Sequence, residues 1–351
     1  MPNAIFPPAP SRPTPRLEHA SALLLAALSF AVAAAQPAAG DATSNPHTPN
    51  PNSPTPTEPT SPPGRLIDGE PEVPRVRANF SLFGLYAPSA DIHNNRGSVD
   101  TARGGGELGV DIPVAPDRFV SLSFSGEYSS YDFQDASGFP GDPSRGPWQD
   151  VTVLSVGVAY RAKIDEDWSY FLGLSGDASF ERGADFNHSL TLSGVGGASY
   201  AWSKDLRIGF GLAAGSRLED SIFALPILTL DWALAEKWKL STTTGLGNRS
   251  AGLTLSYEVC DTITLGLSGG FESREFRLDR EGPIPDGVGR DYRLPLILTA
   301  KWMADPQVEL TLALGANLWG QLRAENSNGD RLSQEELSPG FLVGGGVQFR
   351  F

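Results

Sequence analysis

The chain has 351 residues, of which 40% are hydrophobic and 19% charged, and its formal net charge is −14. A single cysteine excludes intramolecular disulfides and cysteine-based zinc sites, and the acidic balance argues against a nucleic-acid partner, which normally demands a basic face. After residue 35 no stretch offers about 18 consecutive apolar residues, so a helical membrane protein is excluded as well.

The first 35 residues have the pattern of a secretory signal peptide. Arg12 and Arg16 precede an apolar run over residues 21–35, which is long enough for a signal and too short to span a membrane. Ala33 and Ala35 supply the small-residue pattern of a cleavage site. We therefore expect export and cleavage after Ala35.

Residues 36–75 contain 11 prolines among Thr, Ser and Asn, with no apolar periodicity. Such a composition cannot bury a core, so we expect a disordered, extended linker in the periplasm. From residue 76 onward the composition changes, and 36 of the 39 glycines lie in that part of the chain.

Residues 76–351 alternate apolar and small or polar side chains with a period of two. The segments 206–212, 253–260 and 308–319 show this most clearly. Alternation puts one apolar and one polar face on each strand. The runs are long enough for the roughly 9–11 tilted residues with which a strand crosses a bilayer. Because the polar face holds too much Gly, Ser, Thr, Glu and Arg to fill a dry core, we expect it to line water and the apolar face to contact lipid.

The connections predict an all-β, antiparallel, up-and-down transmembrane barrel. Short turns are expected at 115–117, 165–167, 203–205, 235–237, 260–262 and 304–306. Longer connections are expected at 87–101, 133–148, 183–187, 217–221, 247–249, 279–290 and 325–338. Thirteen connections imply 14 strands, with tight turns facing the periplasm. Twelve strands are the alternative, because the first pair, 76–86 and 102–112, includes poor strand sequence at Gly104–Gly106.

Tryptophan positions support the barrel independently, because aromatic side chains gather at membrane interfaces. Five of the seven tryptophans lie within three residues of an expected short turn: Trp168, Trp202, Trp232, Trp238 and Trp302. We predict that these five mark one membrane interface.

The last strand carries the most specific motif. The chain ends Gly-Gly-Gly-Val-Gln-Phe-Arg-Phe, with Gly346 followed by Phe349 and Phe351. This ending resembles the C-terminal assembly signal of bacterial outer-membrane β-barrel proteins, although Gly344 stands where that signal has a polar residue. Together with the proline-rich linker, the glycine-rich strands and the segment 270–276, the chain is similar to uncharacterised outer-membrane barrel families, of unknown function. The resemblance implies a barrel in the outer membrane, with lipid and the barrel-insertion machinery as partners, and no particular substrate.

Alternation also places charges of both signs on the lumen face. These are Glu127, Arg161, Asp177, Glu181, Arg207, Glu258, Lys301, Glu309 and Arg350. They could tune a water-filled passive channel for small polar or amphiphilic solutes. Alternatively, they could pair across a narrow lumen and seal a structural, anchoring barrel. At 12–14 strands the barrel lies between filled small barrels and open porins, so size does not decide.

An outer-membrane hydrolase is a third alternative, on the strength of His188 beside Asp185 and Ser189. Adjacent strand residues point to opposite faces, so a histidine in solvent at a strand end is the favoured interpretation. We therefore predict no enzyme activity, no cofactor and no metal site, and leave the oligomeric state open.

Overall fold

The computed structural model describes residues 75–219, 222–243 and 250–351. Besides strands, these ranges contain two single-turn 3₁₀ helices, His93–Asn95 and Asn187–Ser189. No helix in the described part of the chain is long and apolar enough to cross a membrane. The predicted signal peptide and, but for its last residue, the predicted linker lie outside the described residues.

Fifteen strands follow one another within the described residues. They are β1 (Arg77–Asp91), β2 (Ser98–Ala115), β3 (Arg118–Gln134), β4 (Asp150–Lys163), β5 (Trp168–Glu181), β6 (Leu190–Ser203), β7 (Leu206–Ser216), β8 (Ile222–Ala235), β9 (Trp238–Thr243), β10 (Ser250–Cys260), β11 (Ile263–Arg277), β12 (Val288–Asp305), β13 (Val308–Glu325), β14 (Arg331–Leu337) and β15 (Gly340–Arg350).

The strands form one closed antiparallel barrel. Each strand from β1 to β13 pairs with the next, and β15 pairs with both β13 and β1. Along β13, the residues from Val308 to Asn317 pair with β15 and those from Gly320 onward pair with β14. β14 and β15 therefore share the last position of the wall. The barrel has 14 wall strands, as predicted, and the 12-strand alternative is wrong.

The first predicted strand pair, whose loss would have left 12 strands, is fully formed. β1 and β2 pair from Arg77 opposite Asp111 to Asp91 opposite Ser98, straight through the glycine triplet. The glycines serve the packing, since a Cβ atom on Gly105 would lie 2.9 Å from the Phe83 ring. Glycine at this position thus leaves room for the Phe83 ring and for the Gly126 carbonyl oxygen, which lies 2.5 Å from the same Cβ position.

The alternation separates two faces, as the period of two predicts. On β13, Leu312 is 71% exposed whereas the next residue, Ala313, is buried. Exposed Leu253 on β10 and Phe210 on β7 belong to the same outward belt. Because this apolar belt surrounds the barrel, we expect it to be the face that contacts lipid.

The two ends of the barrel differ in their connections. Six tight turns lie at one end, called the turn end below; each has two residues, except the four between β4 and β5. Aspartates organise several of them. Asp165 accepts hydrogen bonds from the backbone N–H of Trp168 (2.7 Å) and Asp167 (2.9 Å), and Asp117 adopts a positive φ of 57°. All six predicted turns are confirmed.

The opposite end, called the loop end, corrects two predicted connections. The first, 87–101, shrinks to residues 92–97, because a bulge between Ala87 and Ala90 lets β1 and β2 continue. The last, 325–338, contains β14, which extends the wall above β15 and leaves a loop of only 326–330. The predicted connection 247–249 lies outside the described residues.

The barrel is narrowed at its loop end by a contact between two strands that are not neighbours in the wall. Arg277 at the end of β11 pairs in parallel with Phe180 near the end of β5, although these strands stand on opposite sides of the wall. β11 therefore leans across the mouth. This lean brings together side chains that are far apart around the wall.

Candidate functional site

A set of charged side chains crosses the lumen in its loop-end half. Arg103 on β2 donates to Glu272 on β11 and to Asp291 on β12, both at 2.7 Å. Arg274 on β11 donates to Glu127 on β3. Six residues form this set, called the ion-pair layer: Arg103, Glu127, Glu272, Arg274, Asp291 and Arg293.

The ion-pair layer is electrically balanced and buried. Three arginines face three carboxylates, and the Asp291 side chain is 0% exposed. Asp291 also accepts from Arg293 Nε at 2.5 Å and from the Tyr131 hydroxyl at 3.0 Å. Buried charges are tolerable only when they are paired and hydrogen-bonded. The layer meets this condition by joining β2 and β3 to β11 and β12 across the lumen.

An aromatic cap covers the ion-pair layer on the loop-end side. The Trp148 ring packs edge-on against Phe276 (5.2 Å between centroids), Phe133 (5.7 Å) and Tyr131 (6.0 Å). The cap consists of Tyr131, Phe133, Phe139, Trp148 and Phe276. Trp148 and Phe139 belong to the connection between β3 and β4, which therefore folds inward and fills this part of the mouth.

Glu181, the last residue of β5, fastens the cap. Its carboxylate accepts from the backbone N–H of Gln149 and of Asp279, both at 2.9 Å. These two residues lie on different loop-end connections.

Arg277 joins further loop-end segments. It donates to Glu219 at 2.5 Å and to the carbonyl oxygens of His188 (2.9 Å), Leu218 (2.9 Å) and Asp286 (2.8 Å). Its guanidinium group thus holds three connections over the end of β11. The loop end is closed by side chains from both strands and loops.

Ion pairs in the turn-end half run along the wall. Glu309 on β13 pairs with Lys301 on β12 (3.1 Å) and Arg350 on β15 (2.6 Å), its two neighbouring strands. Lys239 on β9 pairs in the same way with Asp231 on β8 at 2.9 Å. The Lys301 side chain is 49% exposed. This end of the lumen is therefore accessible to solvent, and we call this half of the lumen the vestibule.

The other predicted lumen charges also lie on the inner face. Arg161 pairs with Asp111 at 3.5 Å, Asp177 accepts from the Ser155 hydroxyl, and Arg207 donates to the Ser169 hydroxyl at 3.1 Å. Glu258 is exposed near the turn end. Of the nine predicted charges, Glu127 alone joins the ion-pair layer, while Glu181 fastens the cap above it.

The five predicted interface tryptophans are exposed at the turn end. Trp168 packs on Tyr200 (4.9 Å) and Trp238 on Tyr257 (4.7 Å). Trp202, Trp232 and Trp302 are exposed as well. This girdle follows from outward positions near the turns.

The last strand closes the wall against the first. Gly346 lies opposite Phe83 on β1 and Thr311 on β13, and the Phe349 ring stacks on Phe80 at 6.3 Å. Phe351 exchanges two backbone hydrogen bonds with Ala78, at 2.8 and 3.1 Å. Recognition of this strand by the insertion machinery stays a prediction.

The His188 group forms a structural turn. The Ser189 hydroxyl donates to the Asp185 carbonyl at 2.6 Å, and the Asp185 carboxylate pairs with Arg280 at 2.6 Å. The hydroxyl is thus already engaged with backbone. Within the described ranges no group of His, Cys, Asp and Glu is placed to hold a metal ion.

Sequence reasoning missed most of the closing residues. Arg103 and Asp291 lie 188 positions apart, and no local pattern predicts that they meet. The alternation on β11 does carry a partial signal. Ser268 and Gly270 are on the inner face of β11. Every second residue after them shares that face, so the alternation places Glu272, Arg274 and Phe276 in the lumen.

The outward apolar belt, the closed sheet and the charged lumen together define an outer-membrane β-barrel. The chain belongs to a family described as a domain of unknown function, DUF6268, whose model matches residues 118–341. This confirms the predicted membership of an uncharacterised barrel family. No curated protein matches the chain.

Solved structures similar to this barrel include outer-membrane proteins of Pseudomonas. The toluene transporter TodX of P. putida is 7% identical, with a TM-score of 0.42, over 79% of this chain and 90% of that one. An outer-membrane channel from P. putida F1 is 10% identical, with a TM-score of 0.41, over 81% and 100%. A P. aeruginosa FadL homologue is 11% identical, with a TM-score of 0.38, over 78% and 89%.

Proposed function

We propose that the protein is a passive outer-membrane channel for small polar or amphiphilic solutes, closed at its loop end in this conformation. The turn end faces the periplasm and the loop end faces the outside, following the general asymmetry of such barrels. The predicted signal peptide and linker fit this orientation, with export followed by a periplasmic tether.

One observation carries the proposal. Ion pairs in the vestibule run between neighbouring strands, and the Lys239 and Lys301 side chains are 52% and 49% exposed, so solvent reaches the lumen from the turn end. A vestibule that ends on a closure is the arrangement expected of a channel with a gate.

The closed, anchoring barrel is the second candidate. The cross-lumen pairs of Arg103 and Arg274 favour it, because they tie opposite walls together. The two candidates differ in whether the closure opens. An enzyme is not proposed, since the Ser189 hydroxyl is committed to a backbone carbonyl.

Planar-bilayer recording on the full chain separates the candidates. Phe139→Ser combined with Trp148→Ser removes the two loop-borne rings of the cap, so we expect more frequent and larger openings than in the unmodified protein. Arg145→Ser, an exposed change on the same connection, is the matched control and is expected to leave conductance unchanged.

Shortening the connections 135–149 and 278–287 provides a second route to opening. We expect higher single-channel conductance, because the cap loses its loop-borne part while the wall strands stay intact. Correct folding is checked by heat-modifiable migration on gels. Electrical silence of all these folded variants would overturn the channel and favour the anchoring barrel.

A further inference from the structure

We propose that the loop-end parts of β11, β12, β13 and β14 form a flap that swings on a hinge line in the wall and thereby opens the lumen. The flap consists of residues 272–293 and 320–337, which are two β-hairpins side by side. It carries four members of the ion-pair layer and the Phe276 ring of the cap. The inference rests on the proposed function, whose gate it identifies.

The hinge line crosses β11 and β12 on the turn-end side of the flap. The ladder between these strands runs up to Gly269 opposite Leu296 and resumes at Glu272 opposite Arg293. Gly269 is followed by a second glycine, and glycine within a strand often marks a bend. On β12, Pro295 has no N–H to donate, and the ladder to β13 shifts its register between Arg293 and Pro295. Both strands are therefore interrupted at one level of the wall.

β13 changes its partner at the same level. Asn317, which faces Pro295, is the last residue of β13 to pair with β15. Gly320, which faces Arg293, is the first to pair with β14. The interruptions of three adjacent strands thus lie side by side, and there the sheet can bend without the loss of ladder pairs.

The flap is one continuous sheet beyond this line. Ladder pairs join β11 to β12, β12 to β13 and β13 to β14 along it. Arg290 on β12 adds ion pairs to Glu275 on β11 at 2.9 Å and to Glu325 on β13 at 3.0 Å. We therefore expect the flap to move as a unit.

The charges of the flap balance one another. Glu272 pairs with Arg274, and Asp291 pairs with Arg293, each two positions apart on one strand. The wall that faces the flap contributes one charge of each sign to the ion-pair layer. When the flap lifts, its four charges therefore keep their partners. Hydration of the separated groups offsets much of the lost attraction, because the buried pairs had given up that hydration.

The edges of the flap are attached to the rest of the barrel at few points. The ladder pairs that the structure describes between the flap and other strands or loops are Glu272 with Ser250, Arg277 with Phe180 and Leu337 with Ile92. Isolated backbone pairs of this kind open more easily than a continuous ladder. The flap can therefore leave the opposite wall while the wall itself stays intact.

Double electron–electron resonance on the full chain in lipid nanodiscs tests the flap. Exposed Cys260 is first removed by Cys260→Ser. Spin labels on Glu281→Cys and Asp132→Cys then report the distance from flap to wall, and labels on Glu281→Cys and Arg331→Cys report a distance within the flap. All three labelled positions are exposed.

Two variants release the flap in different ways. Arg103→Gln combined with Glu127→Gln removes the charges of the wall and leaves the flap itself unchanged. The Phe139→Ser/Trp148→Ser variant removes the loop-borne rings of the cap. In both we expect a second flap-to-wall distance, longer by at least about 3 Å, the width of one water molecule. The distance within the flap should stay unchanged.

Lys163→Gln combined with Asp117→Asn is the matched control, because it removes a balanced pair at the turn end. Both distances should stay unchanged in this variant. Heat-modifiable migration on gels checks that every variant is folded.

Two results would overturn the flap. One is an unchanged flap-to-wall distance in both folded release variants. The other is a distance within the flap that broadens as much as the flap-to-wall distance, which would indicate local unfolding. The distances are measured without conduction. A silent barrel whose flap moves rejects the channel alone, and a conducting barrel whose flap stays fixed rejects the flap alone.

Discussion

The two halves of the lumen use the same kinds of ion pair in different ways. At the loop end, Arg103 reaches across the lumen to Asp291, and both side chains are almost completely buried. At the turn end, Lys239 reaches only to the neighbouring strand, and its pair with Asp231 stays in water. Arg290 also pairs along the wall, with Glu325 on the neighbouring strand at 3.0 Å, and both side chains are buried, so burial rather than direction separates the two halves.

The largest effect should come from breaking a buried pair. Asp291→Ala leaves Arg103 and Arg293 without their shared carboxylate, which should cost about 3–5 kcal/mol of unfolding free energy. Lys239→Ala removes an exposed pair and should cost at most about 1 kcal/mol. Urea unfolding in lipid vesicles measures both. Equal losses would show that burial does not separate the two halves.

A smaller effect distinguishes the inside of the wall from the outside. Leu312→Arg puts a charge into lipid near the middle of β13 and should cost about 2–4 kcal/mol. Thr311→Arg, one position earlier, points into the lumen and should be tolerated far better. The same unfolding assay applies. Similar costs for the two variants would reverse the assignment of faces.

These faces could be predicted from sequence because alternation, turn residues and strand length are local properties. The turn aspartates Asp117 and Asp165 illustrate this, since each acts within a few residues. The closure could not be predicted. Its contacts depend on how far β11 leans across the mouth, and that lean is set by the pairing of the whole barrel. Glu181 shows how far prediction from sequence reaches. Alternation places its side chain in the lumen, but its backbone partners come from two loops that no local pattern identifies.

The smallest expected effect concerns ion preference in the vestibule. It is measured in the Phe139→Ser/Trp148→Ser variant, because that variant is expected to be open more often. Replacing Glu258 and Glu309 with Lys reverses two lumen charges near the turn end. Because charges in a low-dielectric wall concentrate counter-ions, the anion-to-cation permeability ratio should rise at least about twofold. Reversal potentials in a salt gradient measure this ratio. Glu281→Lys, an exposed loop-end change, is the control and should leave it unchanged. If Glu281→Lys shifted the ratio as strongly as the vestibule pair, selectivity would reside at the loop end, and the vestibule would be only a passage to it.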